Sequence, residues 1–329
     1  MRRILCGERC GDATQTDREE LEGFHIVPFW ELGRRFVCWQ ASHTARQSAR
    51  CTVTRARGPM RKPLTITTAL LLATASLLLA HDLFLKLETY FVPPATPVRI
   101  AVLNGTFTTS ESAVTADRLR DLSIAGPVAG ARTAIARDAW KPQGDTTWLT
   151  LTTGSPGTYV VGASLTPRQI ALTAEQFNGY LKEDGIPDVL AARTRDGELT
   201  KGARERYQKH VKAILQVGDV RSDAFATVLG YPAEIVPTAN PYGLRAGDSL
   251  SVRCLVDGKP VAQQLVIAGG EHDGRAIEEA RARSDGNGLA RFALRTPGKW
   301  YIKFIHMVPV SGDSVNYESK WATLTFQVR

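Results

Sequence analysis

The sequence predicts an all-β fold: two Ig-like antiparallel β-sandwich domains in tandem, with a short helical insertion between them. Two observations carry this expectation. Short runs of alternating apolar and polar residues recur from residue 81 to the end, separated by Pro, Gly and Asp turn chemistry. Helical signals are confined to residues 171–216. A hydrophobic content of 43% over 329 residues is ample for packed cores.

Residues 1–59 contain ten Arg, no Lys and four scattered cysteines (Cys6, Cys10, Cys38, Cys51), with no sustained period of 2 or 3.6. Three residues separate Cys6 from Cys10 but twelve separate Cys38 from Cys51, unlike the paired knuckles of a zinc site. This stretch is expected to be an N-terminal extension arising from a start codon assigned too far upstream. Residues 60–80, MRKPLTITTALLLATASLLLA, have the basic start, apolar run and small-residue end of a signal peptide. The run from Leu64 to Ala80 is 17 residues, at the bottom of the range for spanning a bilayer, and no basic stop-transfer cluster follows it. Cleavage after Ala80 would leave His81 as the amino terminus. Cleavage after Ala75 is the alternative, because Ala73 and Ala75 fit the small-residue rule better than Leu78 does.

On this account the mature chain is periplasmic or secreted and has no membrane span. Residues 81–329 carry 29 Lys and Arg against 26 Asp and Glu, so most of the formal +8 of the whole chain lies in segments that export removes. No basic cluster with interleaved aromatics replaces it, and nucleic acid is not expected as a partner. Cys254 is the sole cysteine after residue 80, which excludes an internal disulfide.

The first domain, residues 81–170, opens with HDLFLKLETYFV and TPVRIAVLNGTF, followed by TTWLTLTT, a GSPG turn and TYVVGASL, each a strand pattern. Residues 171–221 form the expected helical bridge. There LTAEQFNGYLKEDG places Thr173 as N-cap with Gln176 at N3, and GARERYQKHVKAIL at helical spacing puts Tyr207, Val211 and Ile214 on one face. The second domain, residues 222–329, returns to alternation in DSLSVRCLV, QQLVIAG, ARFALR, WYIKFIHMV and WATLTFQV. Leu250, Val252, Cys254 and Val256 share one face of the first of these, so Cys254 is expected in the core. LTLTTGSPGTYVVGAS and FALRTPGKWYIKFIH share a strand, a Pro-Gly turn and an aromatic strand, a faint internal repeat that suits tandem sandwiches.

No hydrolase, kinase or redox motif accompanies the four histidines after residue 80. If the mature chain starts at His81, its α-amino nitrogen and imidazole Nδ1 can close a chelate ring on one ion, a donor set favoured by copper(II) and nickel(II). Asp82 could add a carboxylate oxygen. His306 is the natural second ligand: alternation in WYIKFIHMV places Trp300, Ile302, Phe304 and His306 on one face, opposite Tyr301, Lys303, Ile305 and Met307. The Lys303 face is expected in solvent, and a hydrogen-bonded core role is the alternative for His306. His272, in GGEHDGR, lies among turn-forming donors, and His210 is expected on a helix surface. His81 and His306 are expected to converge on one pocket, with the two sandwiches side by side.

The segments AHDLFLKLETYFV, NPYGLRAGDSLSVRCLVDGKPV, SDGNGLARFAL, GKWYIKFIHM and YESKWATLTF resemble bacterial exported proteins of the domain-of-unknown-function group numbered 4198, over essentially all of residues 80–329. Members are often labelled nickel-uptake or nickel-transport-associated periplasmic proteins. The resemblance therefore implies metal handling, with His81 and His306 as the positions carried over. The label also mentions a transmembrane region, which this sequence lacks after residue 80, so transport by this chain itself is not expected. An export signal followed at once by His is also similar to periplasmic copper-binding proteins and to copper-dependent polysaccharide monooxygenases.

Three functions follow as expectations. The first is a metal-binding or metal-delivery accessory protein for nickel or copper, with a metal transporter or other envelope protein as partner. The others are a non-catalytic Ig-like envelope interaction or glycan-binding module, and a copper-dependent oxidase using a histidine brace. Translation from Met60 is expected to give full export and function. A chain starting at Met60 that is unstable or mislocalised, while the 329-residue form is normal, refutes the upstream-start argument.

Overall fold

A computed structural model of the chain describes residues 81–128 and 130–329; the expected extension (1–59) and signal segment (60–80) lie outside the described residues. The described residues belong to one compact unit, Leu64–Arg329. Their strands form three sheets. The first has the order β1 (Asp82–Leu87), β3 (Pro97–Gly105), β7 (Thr146–Thr152), β6 (Trp140–Gln143). The central sheet runs β15 (Arg275–Arg283), β14 (Leu265–His272), β17 (Gly298–Pro309), β18 (Tyr317–Val328), β10 (Ala203–Val217), β8 (Gly157–Leu165), β4 (Leu119–Ala125), β5 (Arg132–Ala134). Two shorter strands, β2 (Phe91–Val92) and β9 (Arg168–Leu172), also pair with β10. The third sheet joins β11 (Ala233–Pro237), β12 (Ser249–Val256) and β13 (Lys259–Pro260), with β16 (Leu289–Ala293) on the far side of β12.

The all-β class holds, and pairing is antiparallel except where β10 meets β18 and β2. One expectation is corrected. The segment expected as a second helix, GARERYQKHVKAIL, is strand β10, the longest strand described. Its Lys, Glu, Arg and Ala residues are good helix formers, but tertiary context outweighs propensity. The strand is hydrogen-bonded to β9 and β8 along one edge and to β18 along the other, and its last nine residues are buried. Tyr207 and Val211 do share a face, but with Lys209 between them at strand spacing, and Ile214 points the other way. Strands expected in separate domains are therefore joined in one sheet, with β8 on one side of β10 and β18 on the other.

The central sheet is covered on both faces. On one face Thr323 and Thr325 of β18 donate to the carbonyls of Leu83 and Leu85 in β1, at 2.7 and 2.5 Å, seating the first sheet. On the other, Lys212 of β10 meets Glu234 of β11 at 3.1 Å, seating the third. The main core accordingly combines Leu83, Leu85, Ile100 and Leu149 of the first sheet, Ile214, Leu215, Ile302 and Leu324 of the central one, and Ile235, Val252 and Cys254 of the third. Cys254 is fully buried, and burial pushes its thiol up to about 12.

The expected capping box forms: Gln176 N donates to Thr173 Oγ1 (3.3 Å) and Thr173 N to Gln176 Oε1 (3.0 Å), starting helix α1 (Ala174–Glu183). A second helix, α2 (Pro187–Arg195), opens on its proline. The apolar face of α1 buries Phe177, Tyr180 and Leu181 against Ile305, Met307, Tyr317 and Trp321, on the same face of the central sheet as β1. Tyr180 stacks on Trp321 with ring centroids 5.9 Å apart and planes within 4°.

Lys212 and Glu234 are both almost wholly buried. Glu234 also accepts from the backbone N–H groups of Leu229 (2.9 Å) and Tyr231 (2.7 Å), so its charge is compensated on three sides. Lys212→Met strands that carboxylate, and the expected loss of stability is about 3–5 kcal/mol. Denaturant unfolding that shows wild-type stability for this variant contradicts the role given to the pair.

Candidate functional site

Strand β1 places His81 and Asp82 at one end of the first sheet, with Asp82 opposite Gly105 at the end of β3. The chain after β3 folds back and brings Glu111 to His81, whose Nε2 lies 3.0 Å from Glu111 Oε2. The main-chain carbonyl of His81 accepts from Lys209 Nζ, which also donates to Asn104 Oδ1 at 3.0 Å. Asp82 Oδ2 pairs with Lys303 of β17, while Asp82 Oδ1 is buried with no hydrogen-bond partner among the described residues.

These contacts sit on a larger buried charge system. Lys209 lies within 5.2 Å of the Trp321 ring centroid and 5.8 Å of that of Tyr207. Burial lowers its ammonium to about 8 against the pull of the Asp82 carboxylate. For Lys303 burial acts in the same direction, but the Asp82 carboxylate outweighs it and the net shift is upward. Behind them Glu205 Oε1 accepts from Tyr180 Oη (3.1 Å) and from Ser319 Oγ, and burial raises its carboxyl. Asp184, just past the end of α1, is raised to about 7, first by burial and then by the charge of Asp82.

His81 and Glu111 form a wall between two clefts. On one side, a cleft of about 360 Å³ is lined by the acidic side chains of Asp82, Glu111, Glu183, Asp184 and Glu279, with Lys303 as its single Lys or Arg. On the other, a cleft of about 410 Å³ is lined by Arg118, Arg168 and Lys209, with Glu111 as its single carboxylate.

The structure brings His81 and Asp82 together but not the other histidines. Lys303 and His306 alternate on β17, so His306 faces the opposite side of the central sheet, where its Nδ1 is 3.0 Å from Gln264 Oε1 and its pairing partner on β18 is Lys320. Burial, then the positive charge of Lys320, lowers its imidazole. His81 and His306 therefore do not share a pocket, because a buried sheet stands between them. His272 ends β14, 43% exposed, with Nε2 3.5 Å from Asp273 Oδ2. Among the described residues no three His, Cys, Asp or Glu side chains are grouped to hold a metal ion.

Two further expectations are corrected. Lys303 is buried rather than solvated, because helix α1 and β1 cover its face of the sheet. His210 is buried in β10 rather than on a helix surface, 2.9 Å from Ser164 Oγ, and burial holds its imidazole near 3. Glu111, Asp184, Lys209 and Lys303 were not legible as site residues. Once residues 203–217 are taken as a strand, Glu205 and Lys209 fall on one face amid apolar neighbours, a signal for two buried charges.

Residues 78–308 match the family described as Domain of unknown function (DUF4198), and the chain belongs to that family. No curated protein matches the sequence. Among solved structures, the D0-D1 domain of Intimin is 13% identical, covering 74% of this chain and 97% of its own, with a TM-score of 0.19. The human OSCAR ligand-binding domain is 10% identical, covering 75% and 99%, with a TM-score of 0.17. No helix among the described residues is long and apolar enough to cross a membrane.

The folded chain retains a proton on Asp184 up to about pH 7, whereas an unfolded Asp releases it near 4. The native state thus binds more protons than the unfolded state between those values, and stability falls as pH rises from about 4 to about 7. Asp184→Asn is expected to flatten that slope in denaturant titrations. An unchanged slope would show that Asp184 is not held protonated.

Proposed function

We propose that this DUF4198 member binds a divalent transition-metal ion, nickel or copper, at the amino end of β1, in an exported mature chain that begins at His81. The observation that carries the proposal is the orientation of His81. Nε2 is turned to the Glu111 carboxylate, so a proton carried there would leave the Nδ1 lone pair for the metal, and Nδ1 is the nitrogen that closes a ring with the α-amino group of the same residue. A carboxylate holding the far nitrogen of a ligating imidazole fixes its tautomer and raises its basicity. Asp82 fits the same role, since Oδ1 is a buried acceptor without a partner, and the acidic cleft beside it favours a cation.

His306 and His272 have no part in this site. Delivery to a transporter or another envelope protein, and a periplasmic or secreted location, belong to the proposal. When bound, the ion would be cargo held by nitrogen and oxygen donors, a set that suits copper(II) or nickel(II) in tetragonal geometry.

The test is calorimetric titration of copper(II) and nickel(II) into a chain starting at His81 and into the same chain carrying one Gly before His81. The added residue removes the α-amino nitrogen from the ring, and affinity is expected to collapse. Glu111→Gln should weaken binding by about 10–100-fold. Equal affinity in the Gly-extended chain, or in His81→Ala, overturns the proposal.

A further inference from the structure

We propose that the basic cleft on the other side of the His81–Glu111 pair binds a small organic polyanion carrying at least two carboxylate or phosphate groups. This site is separate from the metal proposal and does not depend on it. Three cations line the cleft: Lys209 at its buried floor, Arg118 at its side and Arg168 at its exposed rim. None has a carboxylate within 4 Å among the described residues. Arg118 is fixed by a hydrogen bond from Nη2 to the carbonyl of Thr166 (3.0 Å), and Arg168 is placed by the pairing of β9 with β10, opposite Tyr207.

The local charge balance sets the valence of the ligand. Glu111, the one carboxylate in the lining, is engaged by His81. Asp117 lies outside the lining, though its charge acts on both Arg168 and Arg118. The lining thus carries two more cationic side chains than carboxylates. Burial, and after it the charge of Arg168, lowers the Arg118 guanidinium, and Tyr207 and the Asp117 carboxylate offset this only in part. A dianion or trianion relieves this crowding, whereas chloride leaves part of it.

The donors suit oxyanions. Guanidinium forks match carboxylate and phosphate oxygens in pairs, and Lys209 has spent two of its three N–H donors on His81 O and Asn104 Oδ1, leaving one. Ser112, Thr115 and Tyr207 line the same cleft with hydroxyls. A volume of about 410 Å³ suits a molecule of metabolite size.

The experiment uses protein stripped of metal and then dialysed free of chelator, since chelators are themselves polyanions. Calorimetry with citrate, succinate and inorganic phosphate is compared with sodium chloride at matched ionic strength. Saturable one-to-one binding of at least one probe is expected. A response to citrate or succinate assigns the carboxylate class, and a response to phosphate alone the phosphate class. Arg168→Glu, at an exposed position, should weaken binding about tenfold or more. Arg120→Glu makes the same charge change on an exposed residue outside the cleft and should leave binding intact. Heats no different from sodium chloride, or equal losses in both variants, overturn the proposal. Because no metal is present, these outcomes are independent of whether His81 binds one.

Discussion

Strand β10 is buried on both faces and carries a lysine into each: Lys209 toward the first sheet and Lys212 toward the third. Removing an ammonium from water costs several kcal/mol unless oxygens replace the solvent, so each lysine dictates what packs above it. Glu234 and the Thr227 carbonyl answer Lys212, while the His81 carbonyl and Asn104 answer Lys209. The two outer sheets are therefore positioned by polar contacts as well as by shape. Shifting β10 by one residue would exchange its two faces and leave both ammonium groups without partners.

The same requirement accounts for the form of the candidate site. His81 is held through its backbone by one cation and through its side chain by one anion. Those two contacts separate an acidic cleft from a basic one, with His81 and Glu111 lining both. A cation and an oxyanion could thus occupy neighbouring positions without competing for the same groups.

The legible parts of the fold were those where alternation coincides with one-sided polarity or with strong turn chemistry. HDLFLKL, TTWLTLTT, DSLSVRCLV and the Thr173 capping box all behave locally as they behave in the fold. Strand β10 was opaque because its charges are buried and answered by residues far away in sequence, so its composition resembled an exposed helix. Lys303 misled for the same reason: a lysine in an alternating strand ordinarily marks the wet face, and here it neutralises Asp82 from 221 residues away. His81 drew notice through the signal segment expected before it. Glu111 did not, since it lies in a polar turn whose approach to β1 is set by the β1–β3 pairing.

The chain's final strand, β18, lies in the interior of the central sheet, between β17 and β10. The family match stops at residue 308, before this strand begins, yet β18 contributes Trp321, Thr323 and Thr325 beneath β1 and α1. The parallel register of β10 on β18 joins residues more than a hundred positions apart. The strands before β18 are therefore synthesised before the contacts that unite them can exist, and a nascent chain short of Tyr317 has a gap at the middle of its sheet rather than a frayed rim. Closure of the sheet waits for residues 317–328, which gives any machinery that handles extended chains a long interval in which to engage the preceding strands.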